Sequence, residues 1–171
     1  MACNQTINGL VRDCAPSIGG IAEALIALHE DIQGVTVMED KISAISMETG
    51  KKFHRYAFAP GTGSFTSNLQ VDAANGVNYV QTDIVLQFNR MDTTKRVEVA
   101  ALSVNETAVI IKDRNGKYWF FGKDEPVTAS AGDGQTGTAR SDANKYDITL
   151  QDNAQTYPFE VDPAAIETIV D

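Results

Sequence analysis

Gly132-Asp-Gly-Gln-Thr-Gly137 spells G-x-G-x-x-G, a pattern that in dinucleotide-binding folds lets the backbone approach a pyrophosphate at a helix amino terminus. That chemistry needs a strand before the glycines and a helix after them. Neither flanks this segment, so no cofactor is expected, and the glycines read as flexibility in an arm. Pro60-Gly-Thr-Gly-Ser64 lacks the Gly-Lys-Ser or Gly-Lys-Thr ending of a phosphate loop and reads as a turn. His29-Glu-Asp31 gathers three potential metal ligands, and His54 is the only other histidine. Neighbours on a strand face opposite ways, and structural metal sites want four ligands, so no metal site is expected. Asp113-Arg-Asn-Gly116 and Asp142-Ala-Asn-Lys-Tyr-Asp147 offer oxygens near turns but fall short of a calcium loop. With no nucleophile elbow and no paired-carboxylate signature, no catalytic residue is assigned and an enzyme is not expected. Glycosidase carboxylates distant in the chain are the arrangement that sequence leaves open.

Tyr118-Trp-Phe-Phe121 could stack bases or sugars. Single-strand binders join such aromatics to a positive groove, whereas this chain carries a formal charge of −9 and a pI near 4.6. Alternation then sends two of the four aromatics into the core and leaves Tyr118 and Trp119 as a candidate contact surface. The basic residues are scattered, only Lys51-Lys52 and Lys95-Arg96 being adjacent, which opposes non-specific adhesion to nucleic acid or an anionic membrane. An acidic wall has another use, since a polyanion slides past it without sticking.

The amino terminus shows no basic region followed by an apolar run, so a secretory signal is not expected, and no stretch approaches the ~20 apolar residues that span a bilayer. Synthesis and residence in the cytoplasm follow, unless the protein is exported whole. Cys3 and Cys14 could close a small loop, but reduced thiols are expected in that compartment.

The elements that must position these residues are mostly strands. At 171 residues and 43% hydrophobic, one domain over residues 1–171 can bury roughly 70% of its unfolded surface. Ile21 to Leu28 is read as a strand in spite of helix-favouring Ala22-Glu-Ala-Leu. Val35–Met38 and Ile42–Met47 alternate about Glu39-Asp40 as a hairpin, which Lys52 to Ala59 continues. Phe65, Ser67, Leu69 and Val71 form one face of a strand. Val80, Thr82, Ile84, Leu86 and Phe88 form the clearest alternation of all. Met91 to Val104 has helical spacing with Asp92 or Thr93 as cap. Ala108 to Gly122 is a hairpin about Asn115-Gly116. Residues 123–144 are small, polar and Gly-rich, longer than an ordinary connection, and are expected to be a flexible arm or assembly loop with Pro126, Gly132, Gly134, Gly137 and Arg140 as its marked positions. Tyr146–Leu150 and Tyr157–Val161 complete the strands, and Asp162-Pro163 starts a last short helix. The fold class is therefore mainly β: an antiparallel β-sandwich or open barrel with one flanking helix.

This order of elements, with Lys145-Tyr-Asp-Ile-Thr-Leu-Gln-Asp and Tyr157-Pro-Phe-Glu-Val after the long loop, resembles the tail tube proteins of tailed bacteriophages. Met1-Ala-Cys-Asn-Gln-Thr, Val77-Asn-Tyr-Val-Gln-Thr-Asp and Gly134-Gln-Thr-Gly-Thr138 are similar to structural proteins of phages or prophages of gut Bacteroidetes. The resemblance implies a non-catalytic virion subunit, made in the bacterial cytoplasm, that closes into hexameric rings. Its partners would be itself within and between rings, other virion proteins, and DNA passing through the lumen without specific binding. A head–tail completion or capsid decoration protein is the alternative within that class, and a small carbohydrate- or ligand-binding β-sandwich lies outside it.

Overall fold

A computed structural model describes residues 6–171. Cys3 lies outside these residues, so the question of whether it pairs with Cys14 does too; the Cys14 thiol is exposed. The chain is mainly β and forms a two-sheet sandwich with a flanking helix. Its strands are β1 Ile21–Leu28, β2 Ile32–Met38, β3 Lys41–Met47, β4 His54–Ala57, β5 Gly63–Asp72 and β6 Val77–Asn89, followed by helix α1 Thr93–Val104. Then come β7 Thr107–Asp113, β8 Tyr118–Phe121, β9 Thr128–Gln135, β10 Lys145–Ala154, β11 Phe159–Val161 and helix α2 Pro163–Glu167.

One sheet has seven strands in the order β2-β3-β11-β8-β7-β1-β4, and the other has four in the order β5-β6-β10-β9. The middle of the larger sheet is covered on both faces. Strand periodicity of two sends Ala24 and Ile26 of β1, with Val109 and Ile111 of β7, toward the smaller sheet, where they meet Ile84, Leu86, Ile148 and Leu150. The intervening Leu25, Ala27, Ala108 and Ile110 face the opposite way and pack with Phe53 and with Ala165, Ile166 and Ile169 of the carboxy-terminal segment. This is why Ala108–Ile111 reads as an unbroken apolar run: none of its four residues is exposed to solvent.

The β2–β3 hairpin turns on Glu39 and Asp40, both left-handed at φ 51° and 60°, the conformation whose twist matches the flanking strands. The β7–β8 hairpin closes at Asn115-Gly116, where Asp113 Oδ1 accepts from the Asn115 and Lys117 amides. Helix α1 is capped by Asp92, whose Oδ1 accepts from the Lys95 amide at 2.8 Å, and α2 by Asp162 with Pro163 in its first turn.

Two expectations need correction. Lys52 to Ala59 does not extend the β2–β3 hairpin: β4 pairs with β1 at the far edge of the sheet. Phe53, fully buried in the second core layer and bridged to Val170, anchors the chain as it crosses. Nor are residues 123–144 an arm free of the sheets. Thr128–Gln135 is β9, paired antiparallel with β10 from Gln151 to Lys145 with one bulge at Ser130, and the rest lies in the connections on either side.

The passage from β8 to β9 carries the chain from one sheet to the other and turns at Gly122, with φ 94°. A Cβ there would stand 3.2 Å from Ala108 Cα and 3.3 Å from Thr107 O, both backbone atoms that cannot yield. Gly122→Ala should therefore destabilise the fold by about 2 kcal/mol or more, read as a lowered midpoint in urea denaturation; an unchanged midpoint would contradict this close approach.

Candidate assembly surfaces

The β5–β6 hairpin is longer than the sheet that carries it. β10 runs alongside β6 only from Asn89 to Val80, whereas β5 follows β6 as far as the Asp72–Val77 pair. Residues 70–79 thus form a two-stranded ribbon projecting past the third strand. Such a ribbon is marginal alone in water, and this one shows apolar side chains on both faces. Val71 is 63% exposed on one side, with the half-exposed Leu69 at the ribbon's base, and Val77 and Tyr79 lie on the other. Its tip is nonetheless well formed. Asp72 Oδ1 accepts from the Ala74 and Asn75 amides, Oδ2 accepts from Asn75 Nδ2, and Gly76 supplies the left-handed turn. These bonds, that of the Asn75 side chain foremost, hold the Asp72 carboxyl below the usual carboxylate range. A hydrogen-bonded tip with uncovered apolar groups on the strands beside it makes this ribbon a candidate contact surface. The sequence reading passed over it, because alternation continues unchanged through the ribbon.

A second uncovered segment precedes β1. Residues 6–20 carry no regular structure, and Ile7, Leu10 and Val11 are 96–100% exposed. It is tied down only near its end, where Asn115 receives the Ile18 amide and donates to the Ile18 carbonyl.

The solvent face of the four-stranded sheet is different in character. Asp83, Gln87, Asp147, Thr149 and Gln151 alternate there with the buried Thr82, Ile84, Leu86, Ile148 and Leu150. Its lysine, Lys145, is neutralised by Asp147 at 2.8 Å and also donates to Gln87, while Gln151 donates to Asp83. The result is a mainly polar wall of net acidic charge, interrupted by the half-exposed Val85.

The marked positions of the expected arm are dispersed. Gly132 and Gly134 lie within β9, Gly137 in the following turn, and Pro126 in the turn before it. The glycines serve close approach instead of mobility. A Cβ on Gly132 would meet the Asp147 carbonyl at 3.2 Å, and one on Gly134 would meet the Tyr146 ring at 3.0 Å. Arg140 is exposed in the turn that Asp142 braces by accepting from the Thr138 and Ala139 amides. The G-x-G-x-x-G run thus lies along a strand edge, not at a helix start.

Of the aromatics, Phe120 and Phe121 are buried and Tyr118 and Trp119 half-buried. Trp119 packs on the core between the sheets and donates its indole N–H to Asp113 at 2.9 Å. With Tyr157 and Phe159 it also lines a shallow cleft beside Lys41 and Glu160. Tyr118 faces the opposite layer.

His29-Glu-Asp31 forms a single 3-10 turn, not a strand. His29 Nε2 bonds the Gly122 carbonyl at 3.1 Å, and buried Asp31 pairs with Lys51. Among the described residues no three histidine, cysteine, aspartate or glutamate side chains converge on a metal-sized space.

Asp152 is the one carboxyl raised far from its ordinary range. Burial in β10 pushes it up to about 6, the Gly122 amide bond pulls the other way, and Asp124 and Glu125 add repulsion. Perturbed acids often mark reaction centres, but this one holds the backbone at the crossing between sheets. No family model matches the sequence, and neither a curated protein nor a solved structure matches the chain.

Because folding raises the Asp152 pKa from 3.8 to about 6, its protonated form is favoured in the native state. The native state is penalised above pH 6, and that penalty fades as pH falls toward 4. Asp152→Asn should stabilise the protein at pH 7–8 by about 1–2 kcal/mol, with the gain shrinking by pH 5, as read from denaturant midpoints across pH. A gain constant with pH would refute the assignment.

Proposed function

We propose that this protein is a non-catalytic, self-assembling structural subunit of a tailed-phage virion, acting in the tail tube as stacked rings around a DNA channel. The observation that carries the reading is the β5–β6 ribbon, which projects past β10 with apolar groups on both faces and a braced tip. A subunit that stacks head to tail needs such a projection, since heterologous contacts propagate until a rotation closes them. The exposed Ile7, Leu10 and Val11 add apolar surface that a lone chain leaves in water. The polar, acidic face of the four-stranded sheet suits the wall of a DNA channel, because phosphates find no unpaired cation on it to hold them. Self-association in rings, contact with other virion proteins and residence in the virion all belong to this proposal.

The cleft of Trp119, Tyr157 and Phe159 favours a second reading, a carbohydrate-binding sandwich. Tyr157→Ala separates it cleanly, since Tyr157 is half exposed whereas Trp119 is also part of the core.

Light scattering with negative-stain microscopy over a concentration series tests the leading reading. Rings or tubes of uniform diameter are expected for the native chain. The double change Leu69→Ser and Val71→Ser should abolish them while leaving the thermal midpoint within ~2 °C, because neither side chain belongs to the buried core. Assembly that survives these changes, or sugar binding lost on Tyr157→Ala, would overturn the reading.

A further inference from the structure

Helix α1 and the free edge of β9 enclose an open cleft of about 480 Å3, lined on one side by Arg96, Val99 and Ala100 and on the other by Ala129–Gly134. β9 is the last strand of its sheet, so the amides and carbonyls on its outer side have no strand beside them. Its residues, Thr-Ala-Ser-Ala-Gly-Asp-Gly-Gln, are small enough for another backbone to come close. The helix is thinly covered as well: of its twelve residues only Leu102 is buried.

We propose that residues 6–13 of one copy add as a strand to the outer edge of β9 in a second copy, with Ile7 and Val11 seated under helix α1. This deepens the self-assembly reading and rests on it. Three features choose the occupant. The first is freedom: residues 6–16 make no hydrogen bond to either sheet among the described residues, and their largest apolar side chains are almost wholly in water. The second is reach, since residues 6–13 laid out as a strand would run the length of Thr128–Gln135.

The third is charge in the correct alternation. On a strand Ile7, Gly9, Val11 and Asp13 share one face, and Leu10 and Arg12 share the other. The helix-side face brings Asp13 toward Arg96 of α1. The opposite face brings Arg12 toward Asp133, which alternates outward between the inward-facing Gly132 and Gly134. Among the described residues none of these four side chains has an ion-pair partner in its own chain. Backbone pairing would supply affinity, and the alternate side chains specificity, as in other strand additions.

A labelled peptide of residues 6–16, titrated into a chain lacking its first 16 residues, tests this by fluorescence anisotropy, with the thermal midpoint checking that the shortened chain is folded. Saturable binding is expected. Arg96→Glu in the protein should weaken it about tenfold, and Asp13→Arg in the peptide should restore it. No binding, or binding indifferent to Arg96→Glu, overturns the inference, while rings formed by the native chain would still support the assembly reading. If the peptide binds but the native chain is monomeric at every concentration with residues 6–16 protected from protease, the segment closes on its own cleft and the inter-copy inference fails.

Discussion

The peptide at Gly122 holds the two sheets in relation to each other. Its carbonyl is bonded by His29, next to the end of β1, and its amide by Asp152 of β10. The amide and carbonyl of Val127 then pair with Thr107 at the start of β7. Within six residues the chain leaves the larger sheet, is fixed to both, and enters the smaller one as β9. Glycine suits this turn because φ is +94° and an added Cβ would stand only 3.2 Å from the Ala108 backbone. The cost is a carboxyl buried beside Asp124 and Glu125. The carboxyl fixes the geometry of this joint through its bond to the Gly122 amide.

Much of this architecture is legible in the sequence because strand periodicity survives wherever one face is wet. The series Val80 to Phe88 alternates as its burial does, and the full burial of Ala108–Ile111 follows from cover on both faces. Turn chemistry was equally legible at Asn115-Gly116 and Asp162-Pro163, where single residues fix the backbone. β9 escaped notice for a physical reason. An edge strand beside a tyrosine ring and an approaching carbonyl must be built from glycine and alanine, and those residues lower every local strand signal. The placement of β4 was hidden for another reason: Lys52–Ala59 has strand character but nothing local says which edge it will join.

The projecting ribbon shows a further limit. Leu69, Val71, Val77 and Tyr79 obey the same alternation as the buried residues that follow them. What exposes them is the end of β10 opposite Val80, more than seventy residues away in the chain. Local pattern assigns a side chain to a face, but the length of a neighbouring strand decides whether that face is covered. The sequence reading accordingly marked the polar segment 123–144, where composition suggested freedom, and did not single out the apolar ribbon.

The two uncovered segments differ in the entropy they still hold, and the difference bears on how a subunit could remain single before it assembles. The ribbon is already ordered by Asp72 and Asn75, so docking it loses little freedom. Residues 6–16 carry no regular structure and are largely without partners, so ordering them costs about 1–2 kcal/mol per residue and must be offset by contact. A surface of the first kind recognises quickly; a segment of the second kind holds only once its whole length is seated. With a net charge of −9 opposing casual encounters between copies, neither surface has to be hidden by the fold. In the proposed assembly, repulsion at long range and the ordering cost at short range would together keep the exposed apolar groups from acting until both are engaged.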